Sequence, residues 1–149
     1  MFSTRSRPIK TFAFCIIKSK DKIFLIENNN SNQPYFTFPG GPVNPGDDSQ
    51  NVVLEAVRDD FGVSLVNLAY LGRLQKHIII EGRKGYELTL IYEANPADDN
   101  FIEQCASGHI NKHRVSWKRI AEFQNKMINL EPEGLLEFLL NRWEIKESY

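Results

Sequence analysis

The residues best suited to chemistry lie between Gly40 and Val63. The run Gly40-Gly41-Pro42-Val43-Asn44-Pro45-Gly46-Asp47-Asp48 is a glycine-rich loop, and it leads into Ser49–Phe61, a helical segment that carries acids toward its far end at Glu55, Asp59 and Asp60. Glycines let backbone N–H groups approach an anion closely. Acids spaced one helical turn apart can share a divalent cation. A loop of the first kind feeding a helix of the second suits a metal-bound diphosphate. Laid out at ~100° per residue, the helix gathers Val53, Leu54, Val57 and Phe61 on one side, its expected core face. Asp59 and Asp60 flank Ala56 one turn along, so the acidic ridge has an alanine at its centre.

The elements that must position this segment follow from the flanking pattern. Asp48 or Ser49 caps the helix and Gly62 ends it. Upstream, Ile9–Lys18 is rich in β-branched and aromatic residues and reads as a strand. Lys18–Lys22 is a polar turn and Lys22–Glu27 a second strand, giving a hairpin. Asn28–Pro34 is a loop of turn-forming residues, Tyr35–Phe38 a short aromatic strand, and Pro39–Pro42 a forced turn. Downstream comes a long β-rich stretch, Leu65–Glu81, broken near Gly72. A hairpin turn at Gly82–Gly85 and a strand at Tyr86–Ala94 come next. Asn95–Gly108 is polar and reads as a loop, Arg114–Trp117 as a short strand, and Lys118–Phe123 as a turn or short helix. Pro132–Trp143 reads as a helix with proline in its first turn and an apolar stripe of Leu135, Leu136, Leu139, Leu140 and Trp143. The expectation is an α+β fold, strands dominant, in one domain spanning 1–149.

Composition narrows the partners. The chain has 149 residues, 18 basic and 19 acidic, for a net charge of −1. That balance argues against a nucleic-acid polymer or an anionic membrane as partner, and leaves room for a small anionic ligand. Met1–Lys10 is basic, but the apolar run after it is short and lacks a small-residue cleavage pattern, so it reads as a strand and not as a signal peptide. No segment has the apolar length of a membrane span. A cytoplasmic protein is expected. Cys15 and Cys105 lack metal-ligand spacing, and Cys15, inside an apolar run, reads as a small buried residue.

Gly41–Val63 resembles the Nudix box, G-x5-E-x7-R-E-U-x-E-E-x-G-U with U bulky and apolar, and it keeps the spacing without insertion. Gly41 falls at the first glycine and Asp47 at the first glutamate. Glu55 falls at the arginine, Ala56 at the glutamate after it, and Val57 at U. Asp59 and Asp60 fall at the glutamate pair, and Gly62 and Val63 close the box. The flanks are similar to the family as well. Tyr35–Gly41 resembles its aromatic approach to Pro-Gly-Gly, Val115–Phe123 its late tryptophan strand, and Pro132–Leu140 its closing helix. The resemblance implies a Nudix-like α/β/α sandwich with a mixed β-sheet. It implies hydrolysis of a nucleoside diphosphate linked to another moiety, dependent on Mg²⁺ or Mn²⁺, and homodimers are common in the family. Carried over position by position, Asp59 and Asp60 become metal ligands and Glu55 a substitute ligand or base. Glu103, or after it Asp98 or Asp99, becomes the assisting loop acid. Gly40, Gly41 and Tyr35 become contacts to the nucleotide, although aromatic residues such as Tyr35 and Phe36 also suit a core.

The departures bear on activity. Ala56 cannot ligate. Asp60 reaches ~1.5 Å less far than a glutamate, and Mg²⁺ tolerates little displacement of its ligands. Glu55 stands where the family has a cation; it either swings toward the metal or adds repulsion to the ridge. Two expectations follow: a hydrolase with an altered, weakened site, or a non-catalytic Nudix-fold module that holds or senses a nucleotide. His77, Arg73, Lys76 and the basic cluster His109, Lys112, His113 and Arg114 suit either phosphate contact or a solvated surface.

Overall fold

The computed structural model describes residues 8–30, 33–124 and 128–147. The basic residues Arg5 and Arg7 lie outside this range. Strand β1 (Ile9–Ser19) alternates its side chains, sending Ala13, Cys15 and Ile17 to one core and Ile16 to another. It runs parallel to β6 (Arg83–Pro96), with Ile9 opposite Tyr86 and Ile17 opposite Ala94. With β2 (Lys22–Asn30) it pairs only at the hairpin end, Lys18 with Ile23 and Ser19 with Lys22. Beyond that point the two strands part. The short strand β4 (Gly40–Pro42) lies against β1, and β3 (Gln33–Thr37) lies against β2. The chain crosses the fork at Phe38-Pro39, where Cys15 N–H donates to the Pro39 carbonyl at 2.9 Å.

The sheet continues outward on both sides. β5 (Leu65–Ile80) forms one edge beside β6; β8 (His113–Arg119) and β7 (His109–Ile110) lie beyond β2, giving the order β5-β6-β1-β2-β8-β7. Helix α1 (Ser49–Phe61) covers one face and buries Val53, Val57 and Phe61. Phe24 centres that core: its ring lies 5.1 Å from Phe61, 5.1 Å from Phe101 and 5.5 Å from Trp117. Helix α4 (Leu135–Glu147) and the short α3 (Ile120–Gln124) belong to the opposite face, where Leu135, Leu139 and Leu140 pack with Ile16, Leu25 and Ile91. Helix, mixed sheet and helix are the expected α/β/α sandwich. Among the described residues no helix is long and apolar enough to cross a membrane.

The sequence reading departs from the structure at several places. Gly40–Pro42, expected as part of a turn, is strand β4 against β1, and His109–Ile110 adds the short strand β7. Asn28–Pro34 is not a loop: Asn28 pairs with Tyr35, Asn29 with Pro34 and Asn30 with Gln33. Backbone bonding overrides the turn preference of the asparagines, and Pro34 is tolerated because β3 has only β2 as a strand neighbour. The second hairpin turns at Glu81-Gly82, both at positive φ (51° and 77°), so Arg83 and Lys84 belong to the ladder. The polar stretch after β6 contains α2 (Phe101–Gln104), anchored by the fully buried Phe101. Helix α4 starts at Leu135 and not at Pro132, because Gly134 at φ 91° breaks the helical path before it. Its stripe holds at Leu135, Leu139 and Leu140; the Trp143 side chain lies outside the described residues. The expected break in β5 is present as register shifts between Val66 and Ala69 and between Tyr70 and Gly72.

Candidate functional site

The box loop is built by its own acids. Asp47 accepts from Asn44 N–H at 3.0 Å and returns its own N–H to the Asn44 carbonyl at 2.9 Å, closing a turn with Gly46 at φ 89°. Asp48 is the N-cap of α1, in extended conformation, and accepts from Gln50 N–H at 2.9 Å. Such a cap satisfies an amide that the helix cannot bond internally. Gly40 has no choice of side chain. A Cβ there would sit 2.0 Å from the Ala13 carbonyl oxygen. Gly41 has more room, its nearest neighbour being Val52 Cγ1 at 3.9 Å from a Cβ position. The ridge that starts at Val52 and passes through Ala56 to Asp60, at i+4 intervals, is therefore the side of α1 that borders β4.

Both ends of α1 are fastened. Ser49 Oγ and the Tyr92 hydroxyl share a hydrogen bond of 2.6 Å, tying the first turn to β6. At the far end Gly62 adopts φ 70° and ψ 20° and donates its N–H to the Arg58 carbonyl at 2.9 Å. Asn111 Nδ2 donates to the Asp60 carbonyl at 2.9 Å, and the His113 ring lies 5.1 Å from that of Phe61. The β7–β8 turn thus satisfies a carbonyl that the helix leaves open. Neither Tyr92 nor Asn111 stands out in the sequence. Asn111 carries one retrospective signal: it turns at φ 54°, a conformation that asparagine adopts more readily than most residues.

The sequence-derived candidates divide by location. Asp60 and Ala56 are half-buried on the ridge, whereas Glu55 and Asp59 are exposed. Glu103 is exposed on α2. Asp98 accepts from Asn100 N–H at 2.9 Å and shapes the turn into α2. Tyr35 is half-buried on β3 opposite Asn28, and Phe36 packs under the Lys118 ammonium at 5.1 Å. His77 rests on the Tyr86 ring at 4.9 Å, Arg114 pairs with Glu27 at 3.2 Å, and Lys76 reaches Glu133 at 3.7 Å on the surface. Among the described residues, no three or more His, Cys, Asp or Glu side chains gather as a metal-holding cluster. Glu55, Asp59, Asp60 and Glu103 therefore do not converge as a three-ligand set.

The cysteines offer no nucleophile. Burial pushes the Cys15 thiol far above its ordinary range, with Glu93 adding to the effect. Cys105 is also raised by burial.

This arrangement matches solved structures along nearly its whole length. The ORF135 protein of E. coli superposes with a TM-score of 0.64 at 17% identity, covering 95% of this chain and 94% of that one. A Nudix hydrolase from Nitrosomonas europaea gives 0.63 at 16% identity over 93% and 90%. The chain has the Nudix hydrolase fold. An ADP compounds hydrolase shares the Nudix fold too, with a TM-score of 0.60 at 13% identity over 93% of this chain and 75% of that one. No protein-family model matches the chain, and no curated protein matches it in sequence. The Nudix fold is thus carried here by a sequence only 13–17% identical to those solved neighbours.

Proposed function

We propose that this Nudix-fold chain hydrolyses small diphosphate compounds, with a nucleoside diphosphate linked to another moiety as substrate. The observation that carries the reading is the placement of the Gly40–Gly41 strand beside the α1 ridge that runs from Val52 to Asp60, in a fold shared over nearly full length with a Nudix hydrolase. The similarity to an ADP compounds hydrolase supports the nucleoside diphosphate class.

In this reading the backbone at Gly40 and Gly41 approaches the diphosphate, where no side chain intervenes. Asp60, with Asp59 beside it, would hold Mg²⁺ or Mn²⁺ together with the substrate's phosphate oxygens. Bound there, the cation supplies charge neutralisation and a more acidic water. Glu55 and Glu103, both exposed, are the carboxylates available to take a proton from the attacking water, and half-buried Tyr35 borders the nucleotide. A second reading, a non-catalytic Nudix-fold module that binds a nucleotide, is favoured by Ala56 at the centre of the acidic ridge.

Ala56→Glu combined with Asp60→Glu separates the two. The paired carboxylates lie one turn apart and can converge on one ion. The doubly substituted chain is expected to raise metal-dependent hydrolysis at least about tenfold across a nucleoside-diphosphate panel at saturating metal. If neither the native chain nor the double variant hydrolyses any member, yet a nucleotide binds, the non-catalytic reading stands in its place.

A further inference from the structure

The strand order ends in two unlike edges. β7 at one end has two residues, whereas β5 at the other has 16. Register shifts interrupt β5 as far as Gly72, and from Arg73 to Ile80 its pairing with β6 is continuous. Among the described residues no strand pairs with the outer side of that segment. It contains no proline, and Ile79 near its end is 74% exposed. Of its two cations, Lys76 already reaches Glu133 at 3.7 Å. Open backbone groups along such an edge are a template for another strand. We propose that the Arg73–Ile80 edge pairs with the same edge of a second copy of this chain, antiparallel about a two-fold axis at His77. The proposal does not rest on the hydrolase reading.

The turn fixes which backbone groups point outward. Glu81 and Gly82, at φ 51° and 77°, make a two-residue turn between Ile80 and Arg83. A turn of this kind sets the carbonyl before it against the amide after it, so Ile80 directs its groups at β6. That direction alternates along an antiparallel strand. Leu74, Lys76, Ile78 and Ile80 therefore bond toward β6, while Arg73, Gln75, His77 and Ile79 turn their amides and carbonyls to the open edge. An independent contact agrees. Tyr86, the cross-strand neighbour of His77, donates its N–H away from β5, to the Pro8 carbonyl at 3.0 Å. Rotation about His77 sets His77 opposite His77 and Gln75 opposite Ile79 of the second copy. Outward-directed residues thus meet outward-directed residues.

Charge selects a second copy, and this register. With the axis at His77, Arg73 comes opposite Glu81 of the second copy, and symmetry makes that pair of opposite charges twice. Moving the axis by one residue sets Arg73 opposite Ile79 on one side, or opposite Arg83, a like charge, on the other. The apolar side chains match as well. Ile79 comes opposite Gln75 with His77 beside it, and His77 already rests on its own Tyr86 ring at 4.9 Å. On the other face Ile80 comes opposite Leu74, which packs against the core under α4. Both copies use the same edge, so the assembly closes at two.

The test is sedimentation velocity of the whole chain, with hydrogen exchange read amide by amide. Between roughly 5 and 500 μM the chain should pass from one copy to two and no further. The amides of Gln75, His77 and Ile79 should gain about tenfold protection or more as the dimer forms, while those of Lys76 and Ile78 stay protected at every concentration. Arg73→Glu should weaken the dimer about tenfold, and adding Glu81→Arg should restore it. His77→Pro should abolish the dimer and leave the single copy folded, because the amide it removes lies outside the β5–β6 ladder. The proposal is overturned if the chain stays a single copy at about 500 μM, which would leave this edge to an unrelated strand or to solvent. Open-ended aggregates overturn it too, as does a dimer in which the amides of Gln75, His77 and Ile79 exchange as fast as in the single copy. So does a dimer that His77→Pro leaves intact, or one whose loss in Arg73→Glu is not recovered by Glu81→Arg.

Discussion

The two halves of the box segment behave differently. From Gly40 to Asp48 each distinctive residue is committed to the fold: Gly40 to the approach of β1, Asp47 to its turn, and Asp48 to the helix cap. From Glu55 to Asp60 the carboxylates have no such commitments. Glu55 and Asp59 project into solvent, and the link made at Asp60 uses its backbone carbonyl. The spacing of the loop half is therefore held by the fold itself. The first half is held in place by the architecture, and the acids of the second half are left free of it.

Three substitutions can break or sharpen that contrast. The largest effect is expected from Gly40→Ala. Its Cβ would overlap the Ala13 carbonyl, and the backbones on both sides are paired, so a loss of roughly 4 kcal/mol or more is expected in denaturant unfolding. A variant of native stability would show that the loop half is not architecturally fixed. Next comes Gly62→Ala, which forces a side chain into the left-handed region at φ 70°. A drop of about 1–2 kcal/mol in the same unfolding experiment is expected. An unchanged midpoint would mean that the helix end relaxes and that its tie to Asn111 is dispensable. The smallest effect belongs to Asp59→Asn in the acidic half, where stability should stay within about 0.5 kcal/mol of native. A larger loss would give that carboxylate a structural partner and erase the distinction.

Sequence legibility followed the same division. The strands β1 and β6 and the helix α1, with a cap at Asp48 or Ser49 and a stop at Gly62, are readable because local preference and tertiary packing agree there. The β2–β3 ladder is not, since three asparagines favour turns locally and only the partner strand overrules them. Phe101 is a single apolar residue in a polar run, which carries no periodicity, so its role as a core anchor emerges only from contact with Phe24 and Trp117. In the candidate site, residue types and spacing named Asp59, Asp60 and Glu55. They could not reveal that Tyr92 and Asn111 secure the two ends of α1. Those ties join residues distant in sequence and leave no local trace.

The parallel pairing of β1 with β6 has a further consequence, for the order of events when the chain folds. β1 lies near the N-terminus, yet its long register, Ile9 opposite Tyr86 through Ile17 opposite Ala94, needs a strand synthesised much later. Its early partners are the brief hairpin contact with β2 and the short β4, neither of which spans its apolar length. Contacts so distant in sequence carry a large loop-closure cost before they return any stabilisation, and they slow folding. The strand pairing that flanks Cys15, Ile16 and Ile17 therefore needs β6, whose hairpin with β5 is closed by a two-residue turn, before the middle of the sheet can form.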